Sequence, residues 1–437
     1  MPVSPARIAA FEILLAVEQR DAYASDMLHS PRYEELSAAD HGLATELAMG
    51  VLRWRSLLDD RILPYSSVKL ERLDAEVLTA LRLAAYQLIF LDRVPGRAAV
   101  HQSVELVKRA RKRSAAPFVN AVLRKLGGSL PVPVIEANSA EELARSSAHP
   151  RWLVERWIRE YGLATCTRIC TYDQQVPPTS IHVPQEAEGA VQKAGVSLGP
   201  GYLLASARTV IGNEALDHIY EAGASIQDEG SQLVALLLGE GKHFLDCCAA
   251  PGGKTRLLAQ RNPAATVFAA ELHPHRAKLL RKLVSAANVH VVTADACNLP
   301  TPALFDRILV DVPCSGTGTL ARNPEIKWKL GADDLCDLQQ RQTAILQAAI
   351  ERLAPGGRLV YSTCSLEREE NQQVVERIVS QQSSIRLVDC GERLRELQST
   401  GELVWQDLKS LTSGPYLRTI PGVHRCDGFF ATIFEKI

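Results

Sequence analysis

The stretch Phe244-Leu245-Asp246-Cys247-Cys248-Ala249-Ala250-Pro251-Gly252-Gly253-Lys254-Thr255-Arg256-Leu257 decides how the chain is read. An apolar run stops at a glycine turn and an amphipathic stretch begins, which predicts strand, tight turn and helix. Gly252 and Gly253 let the backbone approach a ligand closely, Thr255 is placed to cap the helix, and free amides at a helix start favour electron-rich ligand atoms. A small ligand is expected here. Around this unit, from about residue 225, short β-rich runs alternate with helical stretches, the pattern of parallel β-α-β units. Strands are predicted over 243–247, 266–270, 290–293, 307–310 and 358–362, with a late pair near 417–420 and 428–434. Helices are predicted over 255–260, 276–287, 335–353 and 367–380. Together these make one sheet with helices on both faces, whose ligands lie beyond the carboxyl ends of the strands.

Three sites are built on such a turn. A triphosphate loop, G-x-x-x-x-G-K-[ST], matches Gly253-Lys254-Thr255 but meets Cys248 where its first glycine belongs. A dinucleotide fingerprint requires G-x-G-x-x-G, which is absent. The third is the cofactor loop of an S-adenosylmethionine (SAM) methyltransferase. The turn alone leaves the choice open, so the strand ends must be weighed. The second strand ends at Glu271, the third runs on to Asp295 and the fourth ends at Asp311. One such acid is ordinary loop polarity or a helix cap; three in succession suit an adenosyl group, whose ribose hydroxyls and exocyclic amine are donors to carboxylates.

Composition sets the bounds. The chain has 437 residues, 46% hydrophobic and 23% charged, enough for two or three domains with a large core. No run approaches the roughly 20 apolar residues of a membrane span, and Arg7, Glu12 and Glu18 interrupt the opening segment, so a cytoplasmic protein without a membrane partner is expected. The ten cysteines include no C-x-x-C pair, so neither a disulfide framework nor a metal site is expected. A net charge of -1 gives no overall pull towards nucleic acid. A local basic face would be needed.

Residues 1–128 show helical spacing throughout, as in Ile8, Phe11, Ile13, Leu14 and Val17, and form an all-α domain. Its last helices hold Val107-Lys108-Arg109-Ala110-Arg111-Lys112-Arg113, either a solvated helix end or a phosphate-contacting face. Gly127-Gly128, Pro131 and Pro133 begin a linker. Residues 140–220 form a small α+β connecting subdomain, opening with a helix over 140–161 whose Trp152 and Trp157 are assigned to core. Residues 221–437 form the ligand-binding domain.

Two cysteines also lie at strand ends, in Asp311-Val312-Pro313-Cys314-Ser315-Gly316-Thr317-Gly318 and Tyr361-Ser362-Thr363-Cys364-Ser365. Buried filler is the commoner fate of a cysteine, but a thiol facing a SAM pocket has a use. Carbon 5 of cytosine takes a methyl group only after a thiolate adds to carbon 6, and a second thiol can help the later release. Asp311 could hydrogen-bond the pyrimidine edge. The helix start after Cys364 would lower a thiol pKa, while Glu367, Glu369 and Glu370 oppose it, so the sign is not fixed by the sequence.

These three stretches, with Gln227-Asp228-Glu229-Gly230-Ser231-Gln232 and Asn323-Pro324-Glu325-Ile326-Lys327-Trp328, resemble the RNA cytosine-C5 methyltransferases. Leu81-Arg82-Leu83-Ala84-Ala85-Tyr86-Gln87-Leu88 and Asn120-Ala121-Val122-Leu123 resemble the NusB-like RNA-binding domain carried by the RsmB/Sun branch, which acts on bacterial 16S ribosomal RNA. The resemblance implies a Rossmann-like SAM-dependent methyltransferase sheet preceded by an all-α NusB-like domain, acting on 16S ribosomal RNA, with transfer RNA as the alternative. Because the target base must be flipped out, free or partly assembled RNA is the expected substrate, and a monomer is expected. It implies Cys364 as nucleophile and Cys314 as the residue assisting release, with Asp311 and Lys254 beside them. It places Cys248, Ala249, Ala250, Pro251, Gly252, Gly253, Lys254, Glu271, Arg276, Asp295 and Asp311 around the cofactor. Two departures stand out: Ile181-His182-Val183-Pro184 where the family has an Arg-Val-Asn-like RNA contact, and Glu271 where it commonly has Asp.

Overall fold

The computed structural model describes residues 3–20, 22–127, 134–193, 195–212, 219 and 222–437. Gly128, Pro131 and Pro133 of the expected linker lie outside them. The chain divides into two compact units, Met1–Val176 with Leu320–Lys329, and Pro177–Thr319 with Leu330–Ile437. The stretch 140–220 thus contributes to both.

The first unit is helical. Pro5–Arg20, Ala38–Ile62, Ala75–Phe90, Gly96–Arg109 and Ala116–Leu126 surround a core that includes the fully buried Ile13, Leu47, Leu58, Ile62 and Leu81. Their apolar faces recur at helical spacing, and burial of those faces is what holds such helices together. Arg82 is bound bidentately by Asp59, at 2.7 Å for both contacts. The single helix expected over 140–161 is instead two, Ala140–Ser146 and Arg151–Asp173. Ala148 takes a left-handed φ of 51° between them, Pro150 cannot continue a helix, and Gly162 at φ 77° interrupts the second. Trp157 is buried and Trp152 half-buried, in keeping with a core role. Leu320–Lys329, expected among the catalytic motifs, packs into this helical unit: Lys327 Nζ donates to the carbonyls of Arg53 (2.8 Å) and Ala148 (3.1 Å), and Trp328 Nε1 to that of Leu52 (2.7 Å).

The second unit opens with a small antiparallel sheet, β1 (Ser180–His182), β2 (Leu198–Pro200), β3 (Ala207–Val210) and β4 (Ser225–Ile226), in the order β2-β3-β1-β4. The larger sheet contains β5 (His243–Asp246), β6 (Thr266–Glu271), β7 (Val289–Thr293), β8 (Phe305–Asp311), β9 (Leu353–Thr363), β10 (Ile385–Val388), β11 (Thr412–Ser413), β12 (Tyr416–Arg418) and β13 (Phe430–Lys436). Its order is β11-β12-β13-β9-β8-β5-β6-β7, with β10 paired to β13. The strands from β7 to β9 are parallel, and β13 runs antiparallel to β9. The expected Rossmann-like sheet is present. Ile308, Leu309 and Val310 are all buried, as they must be in a strand covered on both faces. The sheet is built outward in both directions from β5, so the crevice falls at the carboxyl ends of β5 and β8. The helix expected over 276–287 ends at Leu283, where Val284 leaves helical geometry. That expected over 367–380 is a short turn, Arg368–Glu370, followed by Gln372–Gln381, with Asn371 (φ -112°, ψ -102°) between them. Among the described residues no helix is long and apolar enough to cross a membrane, and no group of side chains could hold a metal ion.

Candidate active site

The turn after β5 is stitched into the sheet by Cys247 N to Leu309 O (3.0 Å) and Ala249 N to Ala270 O (2.9 Å). Gly252, not Thr255, precedes the helix Gly253–Arg261 and stands at φ 119°. A Cβ there would lie 2.5 Å from Val284 Cγ2 and 2.7 Å from Leu280 Cδ1, so only glycine fits. Thr255 does not cap the helix. Its Oγ1 donates 2.7 Å to Asp246 Oδ2. Asp246 is buried at the end of β5, and its Oδ1 has no hydrogen-bond partner among the described residues. Burial pushes this carboxyl up to about 7, against the Thr255 hydrogen bond. Cys248 is half-buried, and burial holds its thiol well above the ordinary range.

Glu271 ends β6 buried, its Oε1 accepting from His273 N at 2.9 Å. Arg276 approaches Glu271 at 3.9 Å and donates to Ala250 O at 3.1 Å, closing the turn from outside. Asp295 is exposed two residues past β7, with Oδ1 accepting from Cys297 N at 2.9 Å. At the end of β8, Asp311 accepts from Ser362 Oγ (2.7 Å) and pairs with Lys254 Nζ (2.8 Å). Burial lowers Lys254, the Asp311 charge and hydrogen bond raise it, and the net is upward, so the ammonium keeps its charge. Lys254 also lies over the Phe429 ring, 5.1 Å from its centroid. The carboxyl ends of β5, β6, β8 and β9 thus carry one continuous polar surface.

Cys314 and Cys364 meet across it, their sulfurs 3.3 Å apart. The two loops are tied by Gly318 N to Cys364 O (2.9 Å) and Leu366 N to Thr317 Oγ1 (2.9 Å). The hydrogen bond to Cys364 and then burial hold the Cys314 thiol well above its ordinary value. Asn371 binds both neighbours of Cys364: its Oδ1 accepts from Thr363 Oγ1 (2.5 Å) and its Nδ2 donates to Ser365 O (2.9 Å). That commitment breaks the helix expected there.

Several residues here escaped sequence reasoning. Asp246 ends a strand as Glu271 and Asp311 do, and the same signal applied to it. Glu370 and Asn371 follow Cys364 closely, but only tertiary hydrogen bonds reveal what they hold. Glu229 is buried and accepts from the amides of Tyr202, Leu203 and Leu204 at 2.7–3.0 Å, so its motif closes a loop of the small sheet. His182, in the departing segment, is buried in β1, and burial first, then Arg261, lowers it to about 4. A neutral buried imidazole does not stand in for an arginine's charge.

The family described as 16S rRNA methyltransferase RsmB/F matches residues 233–435, and the NusB family matches residues 4–127. A Bacillus subtilis protein named "Probable ribosomal RNA small subunit methyltransferase B" is 34% identical, covering 100% of both chains. The crystal structure of PH0851 superposes with a TM-score of 0.80 at 23% identity, covering 100% of both chains. That of NSun6 from Pyrococcus horikoshii with SFG has a TM-score of 0.55 at 19% identity, covering 66% of this chain and 99% of its own.

Proposed function

The chain belongs to the 16S rRNA methyltransferase RsmB/F family, and from that premise we propose that it methylates carbon 5 of a cytosine in 16S ribosomal RNA through a covalent adduct with Cys364. The observation that most supports this reading is the 3.3 Å separation of the Cys314 and Cys364 sulfurs beside the Lys254 and Asp311 pair. The Cys364 thiol gives up its proton and adds to carbon 6 of the target base while ring nitrogen N3 gains one, which leaves carbon 5 an enamine-like nucleophile. Asp311, oriented by Ser362 and Lys254, hydrogen-bonds the pyrimidine edge and favours the protonated, more electrophilic ring. When bound, SAM supplies an electrophilic methyl group. Once carbon 5 carries it, Cys314 takes the carbon 5 proton, the ring double bond re-forms and the Cys364 thiolate leaves.

SAM is the cofactor, and the residues fit it. Gly252 takes a backbone conformation that favours glycine and packs the turn against Val284 and Leu280, which fixes the loop; the orphan Asp246 Oδ1 suits the methionine ammonium, and Glu271 suits a ribose diol. Asp295 lies within the same row for the adenine amine. The helical unit supplies phosphate contacts from the exposed Arg109, Arg111 and Arg113, in a cytoplasmic monomer acting on free or partly assembled RNA whose target base can flip out. The test is methyl transfer from SAM to 16S ribosomal RNA with the product nucleoside identified. A product methylated elsewhere than carbon 5 overturns the proposed chemistry.

A further inference from the structure

Behind the two thiols, and unused by the chemistry above, lies Glu370, fully buried. Its Oε1 accepts from Ser315 N and from Gln342 Nε2, both at 2.8 Å. Its Oε2 accepts from Ser315 Oγ and from Ser365 Oγ, both at 2.5 Å. Ser315 follows Cys314 and Ser365 follows Cys364, and the two hydroxyl oxygens lie 3.0 Å apart. One carboxylate therefore grips the residue after each thiol, while Gln342 anchors it to the helix Asp334–Glu351. A carboxylate is all acceptor and can satisfy four donors at once. Cys314 and Cys364 are 50 residues apart on separate loops, and loops are the least rigid parts of a fold.

We infer that Glu370 is a positioning residue that fixes the spacing of the two sulfurs. The inference deepens the proposed function and rests on it for the kinetic consequence alone. Proton removal and thiolate release must occur at adjacent atoms, and a misplacement of about 1 Å can cost roughly 10²-fold in rate. Glutamine can preserve the grip. Its carbonyl oxygen accepts from Ser315 N and Gln342, and its amide donates to serine hydroxyls that rotate to accept. Alanine cannot.

Phenylarsine oxide probes the spacing without RNA or SAM. Its arsenic bonds to two adjacent thiol sulfurs, and both thiol protons leave with its oxygen as water. The full-length protein is treated with it, then alkylated and digested, and mass spectrometry reads whether Cys314 and Cys364 are jointly protected. Protection is expected in wild type and Glu370→Gln and lost in a folded Glu370→Ala. Protection of folded Glu370→Ala equal to wild type overturns the inference, as does equal loss in both variants. If Glu370→Ala does not fold, Ser365→Ala removes one arm and is expected to weaken arsenical affinity; unchanged affinity overturns it. In methyl transfer, Glu370→Ala is expected to lower kcat about 10²-fold with KM for SAM unchanged, and an equal loss in SAM affinity marks general damage and overturns it. Wild type that bridges arsenic but transfers no methyl group counts against the proposed function and not against this inference.

Discussion

At the scale of single residues, Asp246 is expected to make cofactor binding depend on pH. Burial raises its carboxyl to about 7, and an ionised Asp246 is the form that attracts an ammonium. Below that pH a proton must be displaced for each SAM bound, so affinity is expected to fall about tenfold per pH unit as pH drops, and to level off above. Calorimetric titration of SAM at a series of pH values checks this, and Asp246→Asn should flatten the dependence. The hydrogen bond to Cys364 and then burial hold the Cys314 thiol well above its ordinary value, so it is protonated at neutral pH in the free protein, and as the base for release it is expected to make kcat rise across about pH 7 to 9 without levelling off. A profile flat over that range contradicts the assignment. Cys314 and Cys364 were legible in the sequence because each sits at the end of an apolar run beside turn residues. Their 3.3 Å approach was not, because it depends on β8 and β9 being neighbours in register, Asp311 opposite Ser362.

At the scale of elements, the turn from β5 into its helix is the least forgiving piece. Gly252→Ala forces a side chain to φ 119° and into Val284 and Leu280, at a cost of about 2 kcal/mol; denaturant unfolding and SAM titration together should register it. The glycine turn was readable from sequence, whereas the role given to Thr255 was not. The hydroxyl had two partners to choose between, a local amide and the distant Asp246, and the buried carboxylate won. The alternation of strand and helix gave the parallel half of the sheet because apolar runs in doubly covered strands are nearly continuous. The two-residue β11 is too short to signal itself, and β10 breaks its apolar run with the exposed Arg386. Glu229 shows the same limit: an acid inside a motif reads as functional, yet it closes three backbone amides. Glu229→Ala leaves those donors unpaired and should cost about 3 kcal/mol in a thermal or chemical melt.

At the scale of the whole molecule, the chain visits the helical unit twice, once through Met1–Val176 and again through Leu320–Lys329. Periodicity marks the first visit plainly, but ten residues inside a catalytic stretch give no sign of the second. Lys327, Trp328 and Glu325 find their partners in the first visit, so a fragment beginning at residue 177 is expected to be cut by protease near 320–329 where the full chain resists. The basic run in the first unit was legible as charge alone. Lys108 and Lys112 are engaged by Glu105 and Asp74, whereas Arg109, Arg111 and Arg113 are exposed. Replacing those three arginines by alanine should weaken RNA binding and lower its salt dependence by about 2 in log-log slope. Most direct for the central claim is transfer of tritiated methyl from SAM to 16S ribosomal RNA, run on a denaturing gel for wild type, Cys364→Ala and Cys314→Ala. The account predicts an inert Cys364→Ala and labelled RNA trapped on Cys314→Ala; methylation by Cys364→Ala contradicts it.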